Sequence, residues 1–214
     1  MKNHETLPLT PIKKAYGVYL EDFECNKFID AVSSWWVNLF GHTNPYINEK
    51  VKEQLDTLEH VILAGFTHEP VVKLSERLVK LTPDGLDKCF YSDNGSSAVE
   101  VALKMSYHAH LNDGNTEKTI FVSLKNSYHG ETIGALSVVD GELYKDTYKP
   151  LLLQTLQTTV PKAMSIESAK VAALDFEKLC EERADEISAI ILEPLIQGAG
   201  YRHMYNLEIL VRIR

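Results

Sequence analysis

The sequence is poor in cysteine, with only Cys25, Cys89 and Cys180, which stand far apart along the chain. An odd, scattered set of this kind matches neither a disulfide framework nor a zinc site. A reducing compartment is therefore expected, and the cytoplasm fits best. Histidine motifs do not replace the missing cysteine sites, because His108–Ala109–His110 is a lone pair on a predicted helix. No metal site is predicted.

Basic residues are also scarce, since 22 Lys and Arg face 30 Asp and Glu and the net charge is −8. This balance, without any basic cluster, argues against nucleic acid as a partner. No apolar run is long enough to span a bilayer, and residues 1–11 lack the apolar core of a signal peptide. With 44% hydrophobic and 24% charged residues, the composition is ordinary for a soluble globular protein. No nucleic-acid or membrane partner is expected.

The Gly-x-Gly-x-x-Gly loop of dinucleotide-binding domains is missing, which argues against a Rossmann-type domain. The sequence has instead a polar turn with one glycine, Gly95, between the apolar run Cys89–Tyr91 and a helical pattern that includes Val99. The apolar run predicts a short strand. Ser97 and Glu100 have the spacing of a capping box, which predicts the start of the helix.

A strand, a glycine turn and a helix N-terminus in this order predict an anion site. Free backbone N–H groups and the positive end of the helix dipole point at one spot. Gly95 would admit close approach of an anion, and Ser96 would add a hydroxyl donor. A well-capped helix with nothing bound explains these two residues equally well when they are considered alone.

Strand and helix patterns alternate along the rest of the chain. Strands are predicted in a hairpin of 18–20 with 27–30, at 119–124 and 187–192, and within 151–156; helices are predicted over 44–60, 70–81, 175–184 and 207–213. About four sheet strands are expected from residue 90 onward. The alternation predicts an α/β fold with a mostly parallel sheet that has helices on both faces.

Two functional groups follow predicted strands directly, at the end where open α/β sheets bind ligands. Tyr128 follows the strand at 119–124, and Glu193 follows the strand at 187–192. Together with Gly95, they are expected to converge on one crevice.

Trp35 and Trp36 are adjacent and cannot face the same side, so one is expected in the core and the other free to line a cavity.

Five segments occur in the order found in pyridoxal-phosphate-dependent class III aminotransferases, which the chain therefore resembles over nearly its whole length. These segments are 33–36 (SSWW), 67–70 (THEP), 92–100 (SDNGSSAVE), 128–132 (YHGET) and 193–200 (EPLIQGAG). The double tryptophan narrows the resemblance to the branch of the family that acts in biotin biosynthesis.

The resemblance implies a role for each of five residues. The backbone of Gly95 and Ser96 would hold the phosphate of pyridoxal 5'-phosphate. Tyr128 would lie against the cofactor ring and border the substrate. Trp35 would line the substrate pocket, and Glu193 would lie near the ring. No catalytic residue is assigned, because the family's covalently linked lysine and its pyridine-nitrogen aspartate lie downstream of the Glu193 segment.

The resemblance also implies an aspartate-aminotransferase-like fold, of which the chain is expected to be the N-terminal half. Residues 1–44 would contribute to the small domain, and 45–214 would form the first half of the large domain. The implied reaction transfers an amino group from S-adenosylmethionine to 8-amino-7-oxononanoate in a cytoplasmic homodimer, and the chain by itself is expected to be inactive. Two alternatives stay open: a class III enzyme for ω-amino acids or ornithine, and a non-catalytic fragment that binds cofactor weakly.

Overall fold

The computed structural model describes residues 5–141 and 145–213, which divide after Cys89 into two compact units. The first unit begins with an antiparallel meander of strands β1 (Ile12–Tyr16), β2 (Tyr19–Asp22) and β3 (Lys27–Ile29). The predicted hairpin corresponds to β2 and β3, whereas β1 was not predicted. Asp22 fixes the hairpin turn, because its carboxylate accepts the N–H groups of Glu24 and Asn26.

Two helices complete the first unit, α1 (Pro45–Leu55) and α2 (Glu69–Leu81). Asn44 caps α1 by accepting the N–H of Ile47, as the Asn-Pro start predicts. The helix ends at Leu55 and not near His60, so the predicted length is wrong. Beyond the end, the Thr57 hydroxyl donates to a backbone carbonyl of the last turn, a bond that competes with continued helix.

The two tryptophans lie in a single turn of left-handed backbone, Ser33–Trp36, in which all four residues have φ between 47° and 68°. Trp35 is 79% exposed and Trp36 is 54% exposed. The prediction that one of them packs in the core is therefore wrong. The apolar side chains that follow, Val37 and Leu39, are also exposed, and no hydrophobic side chain is buried among the described residues of the first unit.

The second unit alternates helices and strands. Its elements are α3 (Gly95–Asn112), β4 (Ile120–Leu124), α4 (Ile133–Ser137), a 3₁₀ turn (Asp146–Leu151), β5 (Thr155–Thr158), α5 (Ile166–Arg183), β6 (Ile187–Ile191), β7 (Ile196–Gln197), β8 (His203–Met204) and α6 (Glu208–Ile213). The main sheet has the order β5-β4-β6 with all strands parallel, and β7 pairs with β8 in a separate antiparallel ribbon. The parallel sheet confirms the predicted fold class.

Helices cover both faces of β4, as predicted. Alternate residues of a strand point to opposite faces, and Phe121 packs with Leu103 of α3, whereas Leu124 packs with Ala172 of α5 and Ile209 of α6. All five residues of β4 are buried, which explains why four of them are apolar, with Ser123 as the exception.

Two predicted elements of the second unit differ from the structure. The apolar run Cys89–Tyr91 forms no strand, so the described part of the main sheet has three strands and not four. Helix α5 begins at Ile166, nine residues before the predicted start at Asp175. Its buried residues are alanines, Ala169 among them, and these small side chains give a weaker helical pattern than large apolar ones.

Candidate functional site

The site is built around the first turn of α3. Asn94 is the N-cap, because its side-chain oxygen accepts the N–H of Ser97 at 2.8 Å. The predicted capping box of Ser97 and Glu100 is therefore wrong. Glu100 lies one turn further along and binds the backbone N–H groups of Gly134 and Ala135 instead.

The first two N–H groups of α3, those of Gly95 and Ser96, have no hydrogen-bond partner among the described residues. Gly95 is exposed, and a Cβ added there would meet no atom within 4 Å. Two free donors at the positive end of an 18-residue helix can bind an anion. One charge opposes this, since hydrogen bonds from Asn94, and also from Ser97, lower the pKa of Asp93 and keep it ionised beside the turn.

The loop that follows β4 packs directly on this first turn. The Ser96 hydroxyl oxygen accepts the N–H of Glu131 at 3.4 Å. Gly130 has a φ of 126°, a left-handed value that favours glycine, and a Cβ at this position would collide with the Ser96 hydroxyl. The glycine therefore permits the close approach of the two segments.

Tyr128 and Glu193, which follow different strands, are joined by a hydrogen bond. One Glu193 carboxylate oxygen accepts the N–H of Tyr128 at 3.0 Å, and the other accepts the N–H of Gly198 at 2.8 Å. The Tyr128 hydroxyl donates to the Glu131 carboxylate at 3.2 Å. The hydrogen bonds of Ser96, Glu131, Tyr128 and Glu193 thus form one connected set.

Four of the five predicted site residues, Gly95, Ser96, Tyr128 and Glu193, therefore lie in or directly beside this connected set in the second unit. Trp35 belongs to the first unit, where it is an exposed side chain. The cofactor and substrate roles of all five residues stay predictions. The structure adds that Glu193 binds two backbone groups, which fixes the position of the Tyr128 backbone.

Two further residues of this region, Gln197 and His129, were not predicted, and each has a buried polar atom without a hydrogen-bond partner among the described residues. These atoms are Oε1 of Gln197 and Nε2 of His129. Gln197 is fully buried, and its amide nitrogen donates to the Lys125 carbonyl at 2.7 Å. Burial lowers the pKa of His129 to about 4, so its ring is neutral at pH 7. The two atoms lie next in sequence to Tyr128 and Gly198, and their unused hydrogen-bonding capacity is compatible with a polar ligand at this site.

The described residues contain neither a metal-binding cluster nor a helix that could span a membrane. Three or more His, Cys, Asp or Glu side chains nowhere come together as a possible metal site within 5–141 and 145–213. Over the same ranges, no helix combines the length and the apolar character that crossing a membrane requires.

Comparisons with known proteins match the whole chain, residues 1–214, to the family model described as Aminotransferase class-III. The chain is 56% identical over 207 residues to the adenosylmethionine-8-amino-7-oxononanoate aminotransferase of Helicobacter pylori. The aligned region covers 96% of this chain and 47% of that relative.

Two solved structures show the same similarity. The enzyme with the same name from Methanocaldococcus jannaschii superposes with a TM-score of 0.89 at 36% identity, over 99% of this chain and 47% of its own. A PLP-bound amine transaminase from an uncultivated Pseudomonas species superposes with a TM-score of 0.86 at 26% identity, over 100% of this chain and 50% of its own. The chain thus spans about half the length of the relatives that it matches.

Proposed function

The chain belongs to the class-III aminotransferase family, and we propose that it is the cofactor-phosphate half of a pyridoxal-phosphate-dependent aminotransferase of biotin biosynthesis. The proposed reaction transfers an amino group from S-adenosylmethionine to 8-amino-7-oxononanoate and gives 7,8-diaminononanoate. The observation that carries this proposal is the 56% identity, over 96% of the chain, to a relative named for these two substrates.

The proposed roles of the site residues are those that the resemblance to the family implies, and the free N–H groups at the start of α3 support them. The free N–H groups of Gly95 and Ser96 hold the cofactor phosphate, and the Ser96 hydroxyl lies beside them. The Tyr128 ring lies against the cofactor ring and borders the substrate, while Glu193 keeps the Tyr128 backbone in place. Trp35 provides an apolar wall that suits an aliphatic substrate. When bound, pyridoxal phosphate supplies an electron sink next to the reacting carbon, and the protein supplies binding and orientation.

The open space next to Gly95 supports a ligand at this position. The φ of Gly95 lies outside the left-handed region, and a side chain there would touch nothing in the described protein. Neither backbone conformation nor packing therefore requires glycine. A bound anion close to the N–H group gives a reason for the absence of a side chain.

We further propose that the full-length protein is a cytoplasmic homodimer, and the three free cysteines agree with a reducing compartment.

A chimera tests the function. This chain replaces the corresponding segment of the Helicobacter pylori relative, and the purified chimera is assayed with 8-amino-7-oxononanoate and a panel of donors. We expect amino transfer from S-adenosylmethionine, and we expect a Tyr128→Ala chimera to lose most of it. A folded chimera that takes ω-amino acids or ornithine and not S-adenosylmethionine would support the other class III activity instead.

A further inference from the structure

The segment from Tyr128 to Ala135 is fastened to the rest of the second unit at both ends by a carboxylate. At its start, Glu193 accepts the N–H of Tyr128. At its end, Glu100 of α3 accepts the N–H of Gly134 at 2.7 Å and of Ala135 at 3.1 Å, both through the same oxygen. Two carboxylates from distant parts of the sequence thus determine where the Tyr128 segment lies.

Glu100 supplies hydrogen-bond acceptors that the start of α4 otherwise lacks. Thr132, the N-cap of α4, makes no side-chain capping bond to this helix. Gly134 and Ala135 are buried, so their N–H groups cannot turn to water and would be costly to leave unpaired. The Glu100 carboxylate therefore has a function at α4, although it belongs to α3.

Glu100 is ionised in this arrangement, although the two N–H groups require only one acceptor oxygen. Burial raises the pKa of Glu100, but hydrogen bonds from Thr132, Ala135 and Gly134 outweigh burial and leave the pKa below its usual value. Gly134 also fits the carboxylate closely, because a Cβ at this position would collide with the Glu100 oxygens. The contact between α3 and α4 is thus built around an ionised side chain.

Ser96 and Glu100 are four residues apart and therefore lie on the same face of α3. Ser96 accepts the N–H of Glu131, and Glu100 accepts those of Gly134 and Ala135, so this one face holds most of the segment that carries Tyr128. The same turn of α3 begins with the proposed phosphate donors.

We infer that Glu100 is a positioning residue, which holds the segment from Tyr128 to Ala135 on α3 and so sets the Tyr128 ring relative to the N–H groups of Gly95 and Ser96. This inference rests on the proposed function for the role of the Tyr128 ring. Glu100 itself does not touch the cofactor in this account. Its effect on a ligand should therefore depend on whether the ligand contacts Tyr128.

The first experiment measures hydrogen exchange by mass spectrometry in the 214-residue chain. Glu100→Ala should raise exchange in the peptide from Tyr128 to Ala135 about tenfold, because it leaves two buried N–H groups without an acceptor. Glu100→Gln should stay within about threefold of wild type, because one amide oxygen can accept both N–H groups. Glu177→Ala, at an exposed glutamate of α5, is the matched control and should change nothing.

The second experiment measures binding of two probes by equilibrium dialysis. Inorganic phosphate reports on the N–H groups of Gly95 and Ser96 alone, whereas pyridoxal phosphate also reports on Tyr128. Glu100→Ala should weaken the binding of pyridoxal phosphate about tenfold and that of inorganic phosphate less than about threefold. Glu100→Gln should bind both probes like wild type. Glu100→Asp, which keeps the charge but shortens the side chain by one methylene, should give a smaller change in the same direction if Glu100→Ala fails to fold.

Three outcomes separate the inference from the proposed function. Unchanged exchange from Tyr128 to Ala135 in Glu100→Ala would overturn the inference. Equal weakening of both probes would also overturn it, because a merely structural defect acts on the whole site. Failure of the wild-type chain to bind either probe would count against the proposed function, and the exchange data would still decide the inference.

Discussion

A buried neutral histidine should make the second unit sensitive to mild acid. The Nε2 atom of His129 is buried without a partner among the described residues, and burial lowers the pKa of this side chain to about 4. Protonation would place a charge on a partly buried ring whose Nε2 atom has no hydrogen-bond partner among the described residues. In the unfolded chain this side chain is not buried, and it takes up the proton near its ordinary pKa of 6.5.

The magnitude follows from the difference between the two pKa values. Because the folded value is the lower one, the unfolded state binds more protons as the pH falls below 6.5, and stability decreases until the pH reaches about 4. The full effect is roughly 3 kcal/mol. Between about pH 8 and about pH 5 the loss should be about 2 kcal/mol, a sizeable part of the stability of a typical domain.

The assay is urea unfolding followed by far-UV circular dichroism at several pH values. His129→Phe keeps a ring of similar size and removes the titration, so its free energy of unfolding should fall less with acid than that of wild type. His108→Phe is the matched control, because His108 is an exposed histidine of α3. The difference between wild type and each variant cancels the titration of the carboxylates.

Equal pH dependence of wild type and His129→Phe would refute this reasoning. It would mean that the protonated ring gains a hydrogen-bond acceptor, or that it becomes exposed to solvent before the rest of the unit unfolds. A flattened pH dependence in His108→Phe would refute it as well, since His108 is exposed and the argument concerns the burial of His129 alone.

Three further changes test other contacts. Gly130→Ala should lower the free energy of unfolding by about 1–3 kcal/mol in urea titrations, because alanine is strained at a φ of 126° and its Cβ meets the first turn of α3. Tyr205→Phe should cost about 1–2 kcal/mol by the same assay, because it removes a buried hydroxyl that donates to a backbone carbonyl just after β6. Hydrogen bonds from Ser34 and His42 lower the pKa of Asp30 to about 2. The ionised aspartate therefore stabilises the first unit above pH 4, and this stabilisation is lost as the pH falls toward 2. Asp30→Asn should flatten the acid unfolding transition, measured by tryptophan fluorescence.

Local patterns predicted the elements that are buried on both sides or capped by nearby residues. The strands Ile120–Leu124 and Ile187–Ile191 were found from their apolar runs, because both faces of a covered parallel strand are apolar. The starts of α1 and α2 were found within a residue from Asn44-Pro45 and Pro70, which act locally on the helix start.

Contacts between distant residues were beyond the reach of local patterns. The Ser97–Glu100 spacing fits a capping box, yet Glu100 binds N–H groups more than thirty residues away, which no short motif can show. The buried amide of Gln197 was likewise hidden, since its partner is the Lys125 carbonyl. The prediction that one of the two tryptophans packs in a core failed for a different reason, because aromatic residues indicate burial only when a core reaches them.

The central claim is that the N–H groups at the start of α3 hold the phosphate of pyridoxal phosphate. Gly95→Pro removes one of these N–H groups and should keep the helix, because proline suits the first helical position and Asn94 before it is extended. Ile166→Pro is the matched control at the first position of α5, where Ser165 is also extended.

Equilibrium dialysis of pyridoxal phosphate against the wild-type chain and these two variants is the most direct measurement. Gly95→Pro should weaken binding about tenfold or more, the effect of one hydrogen bond to a charged group, while Ile166→Pro should bind like wild type. Equal binding by Gly95→Pro and wild type would contradict the claim, and the cofactor phosphate would have to be held elsewhere.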